Sequence, residues 1–97
     1  MTERTTRISR ERVQQDWASR GYTCDLWVDP PESVWSDFVH DADELLFLLD
    51  GALLIEMQGK VVRLEPGDEL VIPAGMRHTV RNVGGRTTRW LYGYRML

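Results

Sequence analysis

From Tyr22 to the end, the chain is a succession of short apolar runs, each closed within a few residues by glycine, proline or aspartate. Runs of that length suit strands, and no second stretch of helical spacing interrupts them. The residues Tyr22, Cys24, Leu26 and Val28 fall every second position, the period of a strand with one buried face. Asp29-Pro30-Pro31-Glu32 ends that run, because proline cannot continue a ladder. Further strands are expected at 35–40, 45–50, 53–58, 61–65, 69–72, 78–82 and 87–94. Their separators are Asp50-Gly51, Gly59-Lys60, Pro66-Gly67-Asp68, Pro73-Ala74-Gly75 and Gly84-Gly85. Many short strands at regular spacing predict an all-β sandwich or barrel, and the lack of alternating helices argues against a parallel βαβ sheet.

The exception lies at the start. Ser9 can cap a helix over 9–20, Val13 and Trp17 share one of its faces at i and i+4, and Gly21 supplies its stop. Such a helix is expected to cover an open barrel end or to rest on a partner. The 97 residues then divide into an extension over 1–20 and a barrel from about 22 to 97, one domain with room for one core. A core this small leaves a thin stability margin, so pairing with a second copy is expected.

Composition removes several function classes. At 42% hydrophobic and 28% charged, the chain is ordinary globular material rather than disordered. A net charge of -3, with arginines interleaved among acids, offers no basic face for nucleic acid. The single cysteine, Cys24, forms no internal disulfide. The apolar run Leu45-Leu46-Phe47-Leu48-Leu49 is far short of the roughly 20 residues of a membrane span. The first residues are polar, unlike a signal peptide, so a soluble, cytoplasmic protein is expected.

Chemistry concentrates in two stretches. One runs from His40-Asp41-Ala42-Asp43-Glu44 to Gly51, and the other from Gly67 through Pro73, Gly75 and His78 to Asn82. The chain's 2 histidines fall one in each. A strand hairpin between them can bring both to one cavity, where imidazoles and a carboxylate suit iron, manganese, nickel, copper or zinc.

With these residues in view, the sequence resembles the cupin superfamily. The family's second motif is matched by Gly67, Pro73, Gly75, His78 and Asn82, and the first by His40, Glu44 and Gly51. The first motif departs at two places: Phe38 stands where the family has its leading histidine, and Glu32 where it has a glycine. The resemblance implies a double-stranded β-helix, or jelly-roll barrel, with a divalent transition metal on His40, Glu44 and His78. It also implies a small-molecule ligand and a homodimer. Phenylalanine cannot ligate, so water, substrate, Asp41 or Asp43 would complete the coordination. Asp41 and Asp43 read more simply as solvated loop carboxylates.

Phe38, Phe47 and Trp35 are candidates to line an apolar ligand pocket, with core as the plainer role for Phe47, Trp35 and Trp90. Trp90, Tyr92 and Tyr94 alternate and share one face of the last strand, either inside the barrel or in a dimer contact. Glu65, Asp68 and Glu69 flank a turn that they are expected only to keep soluble. The functions implied are a metal-dependent enzyme of dioxygenase, isomerase or lyase type, or a non-catalytic binding or sensor protein. No catalytic residue is assigned from sequence.

Overall fold

Among the described residues, one helix and eight strands follow the spacing of apolar residues and turns. The structure is a computed structural model, and it describes residues 9–96, with Asp37 and Phe38 described by their backbone alone. Helix α1 (Arg10–Ser19) is followed by β1 (Asp25–Asp29), β2 (Val34–Phe38), β3 (Glu44–Asp50) and β4 (Leu53–Met57). Then come β5 (Lys60–Leu64), β6 (Glu69–Ile72), β7 (His78–Asn82) and β8 (Thr88–Tyr94). The strands form two four-stranded antiparallel sheets, ordered β1-β8-β3-β6 and β2-β7-β4-β5. The expected all-β jelly roll is the fold observed.

Turn chemistry sets the local geometry. Gln58 and Gly59 both take positive φ (52° and 73°) between the paired residues Met57 and Lys60, the two-residue hairpin that fits strand twist. At the Pro66-Gly67 turn, Gly67 takes φ 97° and its N–H donates to the Leu48 carbonyl at 2.8 Å. Asp68 closes this turn by accepting from the Glu65 N–H at 2.8 Å, a structural part beyond the solubility role expected of it.

Alternation sorts each strand between two apolar clusters. Leu46 and Leu48 of β3, Leu53 and Ile55 of β4, Ile72 of β6 and Val80 of β7 form the core between the sheets. The intervening residues of β3 face the other way. Leu45, with Leu91 of β8, is fully buried beneath Trp17 of α1. The helix therefore covers the outer face of the first sheet instead of a barrel end. Ser9 caps it as expected, accepting from the Arg12 N–H at 3.2 Å.

Glu69 fixes the helix in place. Its Oε1 accepts the Trp17 indole N–H at 3.0 Å, and Arg20 bridges its Oε2 at 3.0 Å. Glu69 was expected only to solubilise a turn, and the correction has a simple cause. A buried indole N–H needs an acceptor, and β6 presents Glu69 on the outer face.

The run from Tyr22 to Val28 also differs in part. Tyr22 makes only an isolated bridge to Arg95, and β1 begins at Asp25. Tyr22, Cys24 and Leu26 rest on the outer cluster, while Val28 is exposed.

Candidate metal centre and its cavity

His40, Glu44 and His78 come from three parts of the fold. Glu44 and His78 are the first residues of β3 and β7. His40 was expected within a strand, but β2 ends at Phe38 and His40 lies in the loop before β3. Hydrogen bonds between this loop and the turn before β7 bring the two stretches together. The Gly75 N–H donates to the His40 carbonyl at 2.8 Å, and the Ala74 N–H donates to Asp43 Oδ1 at 2.8 Å. Gly75 adopts φ 80°, a conformation that penalises other residues. Asp43 is thereby engaged as a loop brace, and Asp41 is exposed.

The geometry is that of a three-point donor set. Glu44 Oε1 lies 3.5 Å from His40 Nε2 and 3.6 Å from His78 Nε2, and the three donor atoms all lie within 4.8 Å of one another. Donors bound at about 2.1 Å to one ion stand roughly 3 to 3.5 Å apart, so small side-chain adjustments close the set. His78 Nδ1 lies 3.0 Å from the Met76 carbonyl oxygen. A carbonyl only accepts, so Nδ1 carries a proton and Nε2 is the ring nitrogen that faces Glu44. His40 Nε2 lies 3.3 Å from the Tyr94 hydroxyl.

Electrostatics point the same way. Glu44 is 5% exposed, and burial pushes its carboxyl up to about 7. Its Oε1 is buried with no hydrogen-bond donor among the described residues. Burial, and then the neighbouring His78, holds the His40 imidazole below its ordinary range against the opposing pull of Asp41. Burial, followed by Glu44 and Tyr92, pushes the Tyr94 hydroxyl up to about 12. A buried carboxyl oxygen without a donor among the described residues, beside two imidazole nitrogens, is a setting that a divalent cation would satisfy.

The three residues open on a cavity of about 250 Å³. Trp35 is among the residues that line it. Phe47 does not belong to that lining: it packs on the outer cluster with Trp17, because its position in β3 has the opposite parity to Glu44 and Leu46. The Phe38 side chain lies outside the described residues, and its backbone pairs opposite His78. Trp90, Tyr92 and Tyr94 line the interior, which decides between the two places open to them. Trp27 lines the cavity too, and sequence reading missed it. The signal was its parity, opposite to the Tyr22, Cys24 and Leu26 series.

Among known families, the cupin domain matches residues 26–94. The chain belongs to the cupin family. Its family residues have visible work here. Asn82 of the cupin's second motif donates to the carbonyls of Pro30 at 2.8 Å and Arg86 at 2.9 Å, and accepts from Thr88 at 2.8 Å. Gly51 adopts φ 103° with its Cα against Thr88, where an added Cβ would stand 2.2 Å from the hydroxyl oxygen.

The cupin is similar to the tetracenomycin polyketide synthase protein TcmJ of Streptomyces glaucescens, 31% identical over 77% of this chain and 50% of that protein. It is also similar to the polyketide synthase CurC of Streptomyces cyaneus, 29% identical over 65% of this chain and 41% of that protein. The chain thus spans about half the length of the curated relatives it matches. Among solved structures it resembles the DMSP lyase DddQ from Ruegeria pomeroyi, with a TM-score of 0.70 and 27% identity over 78% of this chain and 39% of that one.

Proposed function

We propose that this cupin holds one divalent transition ion on His40, Glu44 and His78 and acts there on a small organic molecule bound in the cavity. The observation that carries the reading is the buried Glu44 Oε1, 3.5 and 3.6 Å from two imidazole Nε2 atoms and without a hydrogen-bond donor among the described residues. Two histidines and one carboxylate are a donor set for iron, manganese, nickel, copper or zinc. When bound, the ion supplies Lewis acidity toward a coordinated oxygen of the substrate. The chain's own residues do the rest. Met76 fixes the His78 tautomer, the loop brace at Asp43 holds His40 beside Glu44, and the apolar cavity walls exclude water. Tyr94 places a hydroxyl beside the His40 ring at the edge of the donor set.

The reaction class is of dioxygenase, isomerase or lyase type. The likeness to polyketide synthase proteins and to a DMSP lyase supports an organic substrate. A second reading, a non-catalytic binding or sensor cupin, draws on Phe38 at the position where the family carries another histidine.

The test is metal content by mass spectrometry on untagged protein purified without chelator, beside a His40→Ala, His78→Ala double variant. Near one equivalent of a single transition metal, absent from the variant, is expected. Protein that takes up no metal even after reconstitution would overturn the metal reading. Turnover, against saturable binding alone, then separates the two functions.

A further inference from the structure

The cavity wall beyond the metal donors is held by a group outside it. Trp27 of β1 and Trp35 of β2 both line the cavity, and both donate their indole N–H to one carboxylate, Asp29. The distances to Oδ1 are 2.7 Å from Trp27 and 2.9 Å from Trp35, and Trp35 also lies 3.1 Å from Oδ2. Asp29 is 1% exposed and is not among the cavity-lining residues. Asn82 Nδ2 approaches the Asp29 carbonyl at 3.4 Å, which ties this clamp to the second motif.

Burying a carboxylate is costly unless hydrogen bonds compensate it, so two indoles on one acid constitute a built feature. It orients two rings and leaves one of them, Trp27, 37% exposed. The Trp27 and Trp35 planes meet at 81° with centroids 5.4 Å apart, and Trp27 meets Tyr92 at 80° and 6.2 Å. Rings at right angles form a corner in which a planar ligand stacks on one wall while its edge meets the other.

Charge narrows the ligand further. Among the described lining residues there is no lysine or arginine, and Glu44 is the one carboxylate. A divalent ion on Glu44 and two neutral imidazoles leaves one net positive charge, which repels a cationic ligand and favours a single anionic oxygen.

We propose that the cavity takes a planar aromatic ligand with one ionisable oxygen, a phenol or an enolised aryl ketone, its ring in the corner of Trp27, Trp35 and Tyr92, and that Asp29 is the positioning residue of that corner. The oxygen's anchor rests on the metal reading above. The corner rests on ring geometry alone.

The test is calorimetric titration of Zn²⁺-loaded and metal-free protein with 2-naphthol and with its saturated counterpart, decahydro-2-naphthol. The aromatic alcohol is expected to bind about tenfold more tightly than the saturated one. Trp27→Ala and Asp29→Leu each weaken 2-naphthol about tenfold, while Asp29→Asn, which keeps one acceptor oxygen, stays within about threefold. Zn²⁺ affinity is unchanged in all three. The near-ultraviolet circular dichroism of the indoles changes in Asp29→Leu and is retained in Asp29→Asn.

If Asp29→Leu does not fold, Trp27→Phe and Trp35→Phe read the same clamp, since each keeps a ring and loses the N–H. Equal binding of the two alcohols, or unchanged 2-naphthol affinity in the clamp variants, overturns the proposal. Zn²⁺ binding without aromatic selectivity sinks the corner and leaves the metal reading standing. Aromatic selectivity in a protein that binds no metal supports the corner and sinks the metal reading.

Discussion

Glu44 shows how one buried carboxyl joins stability to a site. Its pKa is about 7 in the folded chain against an ordinary 4.5, so between those values the folded chain keeps a proton that the unfolded chain has released. The stability of metal-free protein therefore falls as pH rises through this window, by on the order of 3 kcal/mol in total. His40 is shifted downward, so its own contribution is lost in the opposite direction, as pH falls through and below 6.5. Both proteins carry His40, so comparison of wild type with Glu44→Gln isolates Glu44. Thermal melts of the two at pH 5 and pH 8 should show the larger loss at high pH in wild type. Parallel melting curves at the two pH values would contradict the assignment.

Among the elements, β8 meets α1 and the segment before β1 at close quarters around Gly93. Gly93 is buried in β8, and a Cβ built there would stand 1.8 Å from the Thr23 carbonyl oxygen and 3.0 Å from the Trp17 ring. The close approach is backbone on ring and backbone on backbone, which side-chain rotation cannot relieve. Gly93→Ala is therefore expected to push the segment before β1 away from β8 and to destabilise the chain by about 3 kcal/mol. Denaturant unfolding measures this, and a loss under about 0.5 kcal/mol, the range of a neutral surface change, would refute it. Tyr92 and Tyr94 flank Gly93 on the cavity side, so the same variant should also lower affinity for a cavity ligand.

Among the described residues, the outermost strands are β1 and β6 in one sheet and β2 and β5 in the other, each with an open edge. Val71 of β6 and Val61 of β5 are exposed, at 46% and 61%. Unpaired edges and a small core favour pairing of two copies, so light scattering on the purified chain should give twice the monomer mass. A monomer mass across the working concentration range would end that expectation. No helix among the described residues is long and apolar enough to cross a membrane.

Much of the fold was legible because strand and turn signals are local. Short apolar runs closed by turn residues marked β3 and β4, alternation of Trp90, Tyr92 and Tyr94 marked β8, and Gly67 and Gly51 stand at positions where positive φ is required. The candidate donors were legible too, since histidine is scarce in this chain and the motif spacing is short-range. Tertiary structure alone decided which face of each strand meets which neighbour. Alternation separates Phe47 from Leu46 but does not say which side holds the cavity. It separates Trp27 from Leu26 but does not say that α1 covers the second and leaves the first to the interior. The roles of Glu69 under Trp17 and of Asp29 behind two indoles depend on contacts between separate elements, and on the demand of buried N–H groups for acceptors. Sequence period determines that a strand has two faces, and only the assembled sheets determine what each face meets.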